Sequence, residues 1–323
     1  MSLSSDVSLG SLRLQAKQRC DMLNNPFISD AEWNGYASQS YKELYDMLIS
    51  AYGNDYYVAT TYQFTTTNQQ AYSLPDGSTN FHDTTGSVAA KFYKLLGVDL
   101  QYSSSPSGFV SLKRFEFIER NKYAYPNTSV NFVGYTNMRY RLQGNNLYLV
   151  PIPMTGQTCQ VWYAPAPTSL QYMIQGGLTL SSTTVTVAQT VGLSIGMTVN
   201  GTSIPDNSTI LSLASTSFII SNAATSTKAS TTLSIWSDST TLDGISGWEE
   251  YIIVDMCIKA KLKQEDDPQG FMLQKNELKA RIEAMAEGRD IGQAFHVSDV
   301  VGANGLGDPG GPYGSGGLDG GWY

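Results

Sequence analysis

Apolar residues in this chain recur first with a helical period, then with a period of two, and then with a helical period again. Leu12, Leu14, Ala16, Cys20 and Leu23 give a loose helical pattern that stops at Asn24-Asn25-Pro26. Ser29 and Glu32 then fit a capping box, in which hydroxyl and carboxylate satisfy each other's backbone amide. Trp33, Ala37, Tyr41, Leu44, Leu48 and Tyr52 follow at spacings of three and four, a single apolar stripe that ends at Gly53. From 56 to 167 the period is two. Segments 56–66 and 90–102 read as strands, and 138–150 reads as a hairpin turning at Gly144-Asn145-Asn146. Residues 157–163 add another strand, and 112–123 is expected to be a short helix. Ser246 to Glu249 offers a second capping box. Behind it Trp248, Tyr251, Ile252, Met256 and Ala260 stripe one helix, and Phe271, Leu278, Ile282 and Met285 stripe another.

Residues 176–237 differ in composition. Asp206 and Lys228 are their only charges, and short runs of Thr, Ser, Val and Ile alternate between glycine, proline and asparagine turns. This predicts an inserted, β-sandwich-like module of about five or six strands with hinge-like flanks at 175–177 and 237–239. The expected fold class is α+β: a four-helix bundle made from N- and C-terminal helical hairpins, a β lobe, the insert and an extended C-terminal arm. The domains are 1–175 plus 238–300 as core, 176–237 as insert and 301–323 as arm.

That arm holds ten glycines and no lysine or arginine. Glycine gives up the most backbone entropy on ordering, so a partner is expected to order the arm through Pro309, Pro312, Tyr313, Trp322 and Tyr323. Charge is sparse throughout, at 15% of residues against the usual ~25%, while 20 tyrosines supply amphipathic contact area. A net charge of −8 offers no global basic field for nucleic acid or anionic lipid. Cys20, Cys159 and Cys257 match neither a disulfide framework nor a metal spacing and are expected as buried thiols. Residues 1–10 do not read as a signal peptide, and no run reaches the ~20 apolar residues of a membrane span. A cytoplasmic origin without membrane contact is therefore expected.

Chemical motifs are few. His82 and His296 lack metal-ligand spacing, 86–91 lacks the second glycine of a phosphate loop, and no nucleophile elbow occurs. No cofactor, metal or catalytic residue is expected. Glu116 and Glu119 stand one turn apart among Lys113, Arg114, Arg120 and Lys122. They read as a salt-bridged turn, with a peptidoglycan-hydrolase acid as the rival. Arg114, Arg120, Arg139 and Arg141 are candidate contacts to a neighbouring subunit or to phosphate, the last two sharing one strand face.

Several blocks resemble, in order, the head-to-tail adaptor (connector) proteins of tailed bacteriophages. They are RLQAKQRCDML, NPFISDAEWNGYASQSYKELYDML and AYG within 13–53, KFYKLLGVDL at 91–100, RFEFIERNKY at 114–123 and RYRLQGNNLYLVPIP at 139–153. VWYAPAP at 161–167 and DGISGWEEYIIVDMCIKAKLKQED at 243–266 complete the set. The resemblance covers most of 12–167 and 240–300, and none of these blocks carries catalytic chemistry. It implies a virion protein at the head-tail junction, in a homo-oligomeric ring (a dodecamer in most such adaptors). The ring would lie beneath the portal protein, which the arm grips, and above a tail tube, nozzle or tail-fibre protein. Genomic DNA would pass through the lumen without sequence-specific binding. The insert resembles a small β module of phage and bacterial surface proteins, which implies host or glycan binding as a further alternative.

Overall fold

The computed structural model describes residues 7–52, 62–78, 80–101, 108–121, 138–242 and 247–287. The expectation of a fold organised by a four-helix bundle is overturned. Among the described residues, fourteen strands in three sheets outweigh four helices. The helical stripes are long and local, whereas many strands are short and pair with distant partners, so the sequence understated the sheets.

The helices are α1 (Leu9–Arg19), α2 (Asp30–Tyr52), α3 (Glu249–Lys263) and α4 (Gln269–Glu287). Ser8 caps α1 by accepting from the Ser11 amide at 3.3 Å. The first capping box forms: the Ser29 amide donates to Glu32 at 3.1 Å, and the Glu32 amide donates to Ser29 Oγ at 3.3 Å. The second does not start its helix as expected. Trp248 is the N-cap of α3, Glu249 accepts from the Gly247 amide at 2.6 Å, and Ser246 lies outside the described residues. α3 is buried on nearly every side, from Tyr251 through Ile258, so it runs through the middle of the helical core. Trp33, Ala37, Tyr41, Leu44 and Leu48 of α2 join Leu9, Leu12 and Ala16 of α1 around it.

The β lobe is two four-stranded sheets sharing one core. One has the order β1 (Tyr62–Thr65), β8 (Thr158–Pro165), β3 (Phe92–Gln101), β4 (Phe109–Ser111). The other has β2 (Ala71–Ser73), β7 (Asn146–Val150), β6 (Arg139–Gln143), β5 (Lys113–Arg114). Val98, Leu100, Val161 and Tyr163 of the first sheet meet Tyr72, Leu147 and Leu149 of the second. Residues 112–121 do not form the short helix expected there. Leu112 and Phe115 turn inward, β5 pairs with β6, and one 3-10 turn follows at Phe117–Glu119. The lobe rests on α2, where Tyr45, Ile49 and Ala164 form a small cluster and the Tyr45 hydroxyl donates to the Pro165 carbonyl.

The third sheet is a closed, wholly antiparallel barrel rather than a sandwich-like module. Its strands are β9 (Gln171–Leu178), β10 (Thr184–Val187), β11 (Thr198–Gly201), β12 (Ser208–Ala214), β13 (Ser217–Ile220) and β14 (Lys228–Trp236), ordered β10-β13-β12-β11-β14-β9. Closure removes the exposed edges that open sheets must protect. Leu233 fills the interior beside Gly176 and Gly201. A Cβ on either glycine would stand within 2.6 Å of a Leu233 methyl carbon.

The flanks are not hinges. Gln175, Gly176 and Gly177 sit inside β9, paired with β14 or β10, and Gln171 lies opposite Trp236. Leu170 and Trp236 are buried in the helical core. Asp238 accepts from Arg13 at 2.9 Å and from Trp236 Nε1 at 3.1 Å. Its carbonyl takes the Gly10 amide at 3.0 Å, in a contact with no room for a Cβ at position 10.

Candidate functional site

The four candidate arginines come from two neighbouring strands and the turn between them. β5 lies at a sheet edge and runs parallel to β6, with Lys113 opposite Arg139 and Arg114 opposite Tyr140. Strand alternation sends Tyr140 toward the lobe core and leaves Arg139 and Arg141 on the other face. In the 3-10 turn, Arg120 Nη1 donates to the Phe117 carbonyl at 3.2 Å. The Phe117 ring is flanked by two guanidinium groups, Arg120 at 4.6 Å and Arg141 at 5.1 Å from its centroid. The structure thus brings Arg120 and Arg141 together on one ring, and sets Arg114 and Arg139 on adjacent strands beside them.

This edge is basic and apolar at once. Phe117 is half exposed, and Ile118 is 86% exposed. Cation–π contact offsets part of the repulsion between the guanidinium groups. Nε and Nη1 of Arg141 are buried and meet no hydrogen-bond acceptor among the described residues. A carboxylate or phosphate on this surface would relieve the accumulated positive charge, and guanidinium is well suited to both.

Glu116 and Glu119 are occupied by the turn itself, since the Glu119 carboxylate accepts from the Glu116 amide at 3.5 Å. Glu116 is exposed and Glu119 is partly buried. His82 forms an isolated bridge with Val88. Pro309, Pro312, Tyr313, Trp322, Tyr323 and His296 lie outside the described residues.

Sequence reasoning missed an ion network linking α2, α3 and α4. The Asp255 side chain is 4% exposed. Its Oδ2 accepts from Ser40 at 2.6 Å and Lys259 at 2.5 Å, and its Oδ1 from Lys275 at 2.8 Å. Lys275 also pairs with Glu43 at 2.9 Å, and the Tyr251 hydroxyl donates to Glu43 at 2.7 Å. Burial alone would raise the Asp255 pKa, but the donors from Lys259, Lys275 and Ser40 outweigh it and hold the carboxyl below its usual range. Burial, and then the Glu43 carboxylate, push the Tyr251 phenol up. The available signal was Asp255 and Lys259 at i and i+4 inside an apolar helix. Beside the network an open groove of about 670 Å³ runs between α2 and α4, lined by Glu43, Asp46, Ser50, Lys279 and Glu283. With its charges mutually satisfied, the network orients three helices and holds no free acid or base for catalysis.

No family model and no curated protein matches this chain. Among the described residues, no helix is long and apolar enough to cross a membrane.

Proposed function

We propose that the chain is a structural virion protein of the head-to-tail adaptor type, forming a ring that joins the portal vertex to the tail and lines the DNA channel. One observation carries this reading. Every block that resembles such adaptors falls in the helical core or the β lobe, or runs on from them outside the described residues. KFYKLLGVDL supplies β3, RYRLQGNNLYLVPIP the β6–β7 hairpin, VWYAPAP the end of β8, and GWEEYIIVDMCIKAKLK opens into α3. The barrel interrupts this series between β8 and α3 without separating its members, because the helices and lobe remain in contact through Tyr45, Ile49 and Ala164. The reading therefore rests on an ordered series whose members share one body.

In this role the Arg120–Phe117–Arg141 edge meets an acidic surface of a neighbouring subunit or of the tail component. The arm at 301–323 meets the portal, with each ordered residue costing about 1–2 kcal/mol that contacts and ring avidity must offset. Mixing the protein with portal rings of the same virus and sedimenting the mixture tests the reading. A stoichiometric complex at moderate salt is the expected result. Truncation after residue 300 should abolish it without moving the melting transition. Failure to co-sediment at every salt concentration would sink the adaptor reading.

A further inference from the structure

Cys20 and Cys257 stand 237 positions apart in sequence and meet in the helical core. Cys20 is the C-cap residue of α1, and Cys257 lies in the middle of α3. One oxygen holds them together: the Ala16 carbonyl accepts the Cys20 amide at 3.0 Å and the Cys257 thiol at 3.6 Å. Both side chains belong to the same buried cluster, with Cys257 Sγ reaching the last turn of α1, which Cys20 caps. Cys159 is a useful contrast, because it is alone in the lobe core, where burial pushes its thiol up and keeps it unreactive. Cys20 shifts the other way, lowered by the neighbouring Cys257 and then by the positive charges of Lys261 and Arg19. It also precedes Asp21, an exposed residue in the left-handed region at φ 56°, so it lies at the end of its helix, where the last turn opens most readily.

We propose that Cys20 and Cys257 form a two-thiol oxidation site, which a peroxide converts into a disulfide joining α1 to α3. The Cys20 thiolate attacks one peroxide oxygen, and the O–O bond breaks. Two electrons pass from sulfur to the peroxide, leaving Cys20 as the sulfenic acid and releasing hydroxide, which takes up the proton lost by Cys20. The Cys257 sulfur then attacks the Cys20 sulfur. The S–O bond breaks, and the hydroxyl leaves as water with the Cys257 proton. In balance, two thiols and one hydrogen peroxide give one disulfide and two waters. A peroxide is small enough to reach a nearly buried thiol, and the second sulfur lies against the same helical turn. The loop so closed contains α2, both lobe sheets and the barrel, so the link restricts the unfolded chain over most of its length.

The test treats the full chain with graded hydrogen peroxide, alkylates it under denaturing conditions, and maps peptides with and without reductant. Met154 and Met173, 71% and 70% exposed, report the oxidant dose as sulfoxides. The expected product is a Cys20–Cys257 linked peptide, two hydrogens lighter than the reduced pair, with Cys159 still fully alkylated. The melting temperature should rise by roughly 5–10 °C and fall back with a thiol reductant, which leaves methionine sulfoxide unchanged. In Cys257→Ser, Cys20 should stop at a sulfenic acid that dimedone traps, with no such rise. Two wild-type results would overturn the proposal without recourse to any variant. One is Cys20 oxidised to sulfinic acid with no linked peptide; the other is both thiols intact once Met154 and Met173 are fully oxidised.

Discussion

The helical core and the barrel both bury an apolar interior, and they treat charge in opposite ways. In the helical core Asp255 lies among Ser40, Lys259 and Lys275, and the ion pairs Arg19–Glu250 (α1 to α3) and Lys263–Glu32 (α3 to α2), each at 2.5 Å, tie helices together across the surface. Between Gln171 and Trp236 the barrel has Asp206 and Lys228 as its only charged residues, and a continuous antiparallel ladder closes it. Its fit is a matter of volume, with Gly176 and Gly201 making room for Leu233. Helix faces can slide past one another, and a directional ion network selects one register among several of similar apolar burial. A closed ladder has its register fixed by backbone hydrogen bonds and needs only side chains of the right size. The core should therefore respond to charge and pH, and the barrel to single methyl groups.

The largest expected effect breaks the network. Asp255→Ala leaves Lys259 without its carboxylate partner and Lys275 with Glu43 alone, and should cost about 3–5 kcal/mol. Region-resolved hydrogen exchange in urea should place that loss in α2, α3 and α4 while barrel amides keep their protection; equal loss in both regions would erase the contrast. Acid should act in the same place. The folded Asp255 pKa lies below the ordinary ~3.9 of an unfolded aspartate, so on acidification the unfolded chain takes up its proton first. This contribution is fully present above about pH 5 and drains away as pH falls through the folded value. Exchange profiles at pH 7 and near pH 3 should show the helices opening before the barrel.

Volume decides the next effect. A Cβ at position 176 would come within 2.5 Å of Leu233 Cδ1 and 3.1 Å of Val185 Cγ1, so Gly176→Ala should cost the barrel about 1–3 kcal/mol. Leu233→Ala should cost about 2–5 kcal/mol alone, and the double variant should cost less than the sum, because the new methyl occupies part of the cavity. Strict additivity in urea titrations would show that the two positions do not share space. The smallest effect belongs to the exposed pair of Lys263 and Glu32, where a double-mutant cycle should give roughly 0.2–1 kcal/mol, shrinking with added salt.

What the sequence revealed was local, and what it concealed depended on distant partners. Ser29 and Glu32 announce the start of α2 because a capping box is complete within four residues. Trp33, Ala37, Tyr41, Leu44 and Leu48 mark its buried face because helical period translates directly into one side. The hairpin of β6 and β7 was equally legible, its turn lying between two alternating runs. Residues 112–121 misled for the opposite reason. Their charges suit a helix surface, but β6 offers Lys113 and Arg114 an edge, and the lobe core takes Leu112 and Phe115. Barrel closure was also hidden, because strand alternation is the same in a sandwich and a barrel. At the basic edge, Arg114, Arg120, Arg139 and Arg141 were identifiable as charges, but Phe117 as the ring between two of them depends on a turn that no periodicity encodes.

The pairing of Gln171 with Trp236 has a consequence for how such a chain can change over time. The residues that lead into the barrel and those that leave it are neighbours on adjacent strands, about 5 Å apart in the hydrogen-bonding direction. The host body therefore sees the whole barrel as if it were a tight turn, and lengthening or shortening what lies beyond imposes almost no closure entropy on the host. Leu170 and Trp236 pack into the helical core, and Asp238 ties the exit to α1 through Arg13 and Gly10, so the base of the barrel is shared with the helices. Any compact unit whose two ends emerge side by side on this same base could be exchanged here, leaving the helices and lobe to keep their own contacts unaltered.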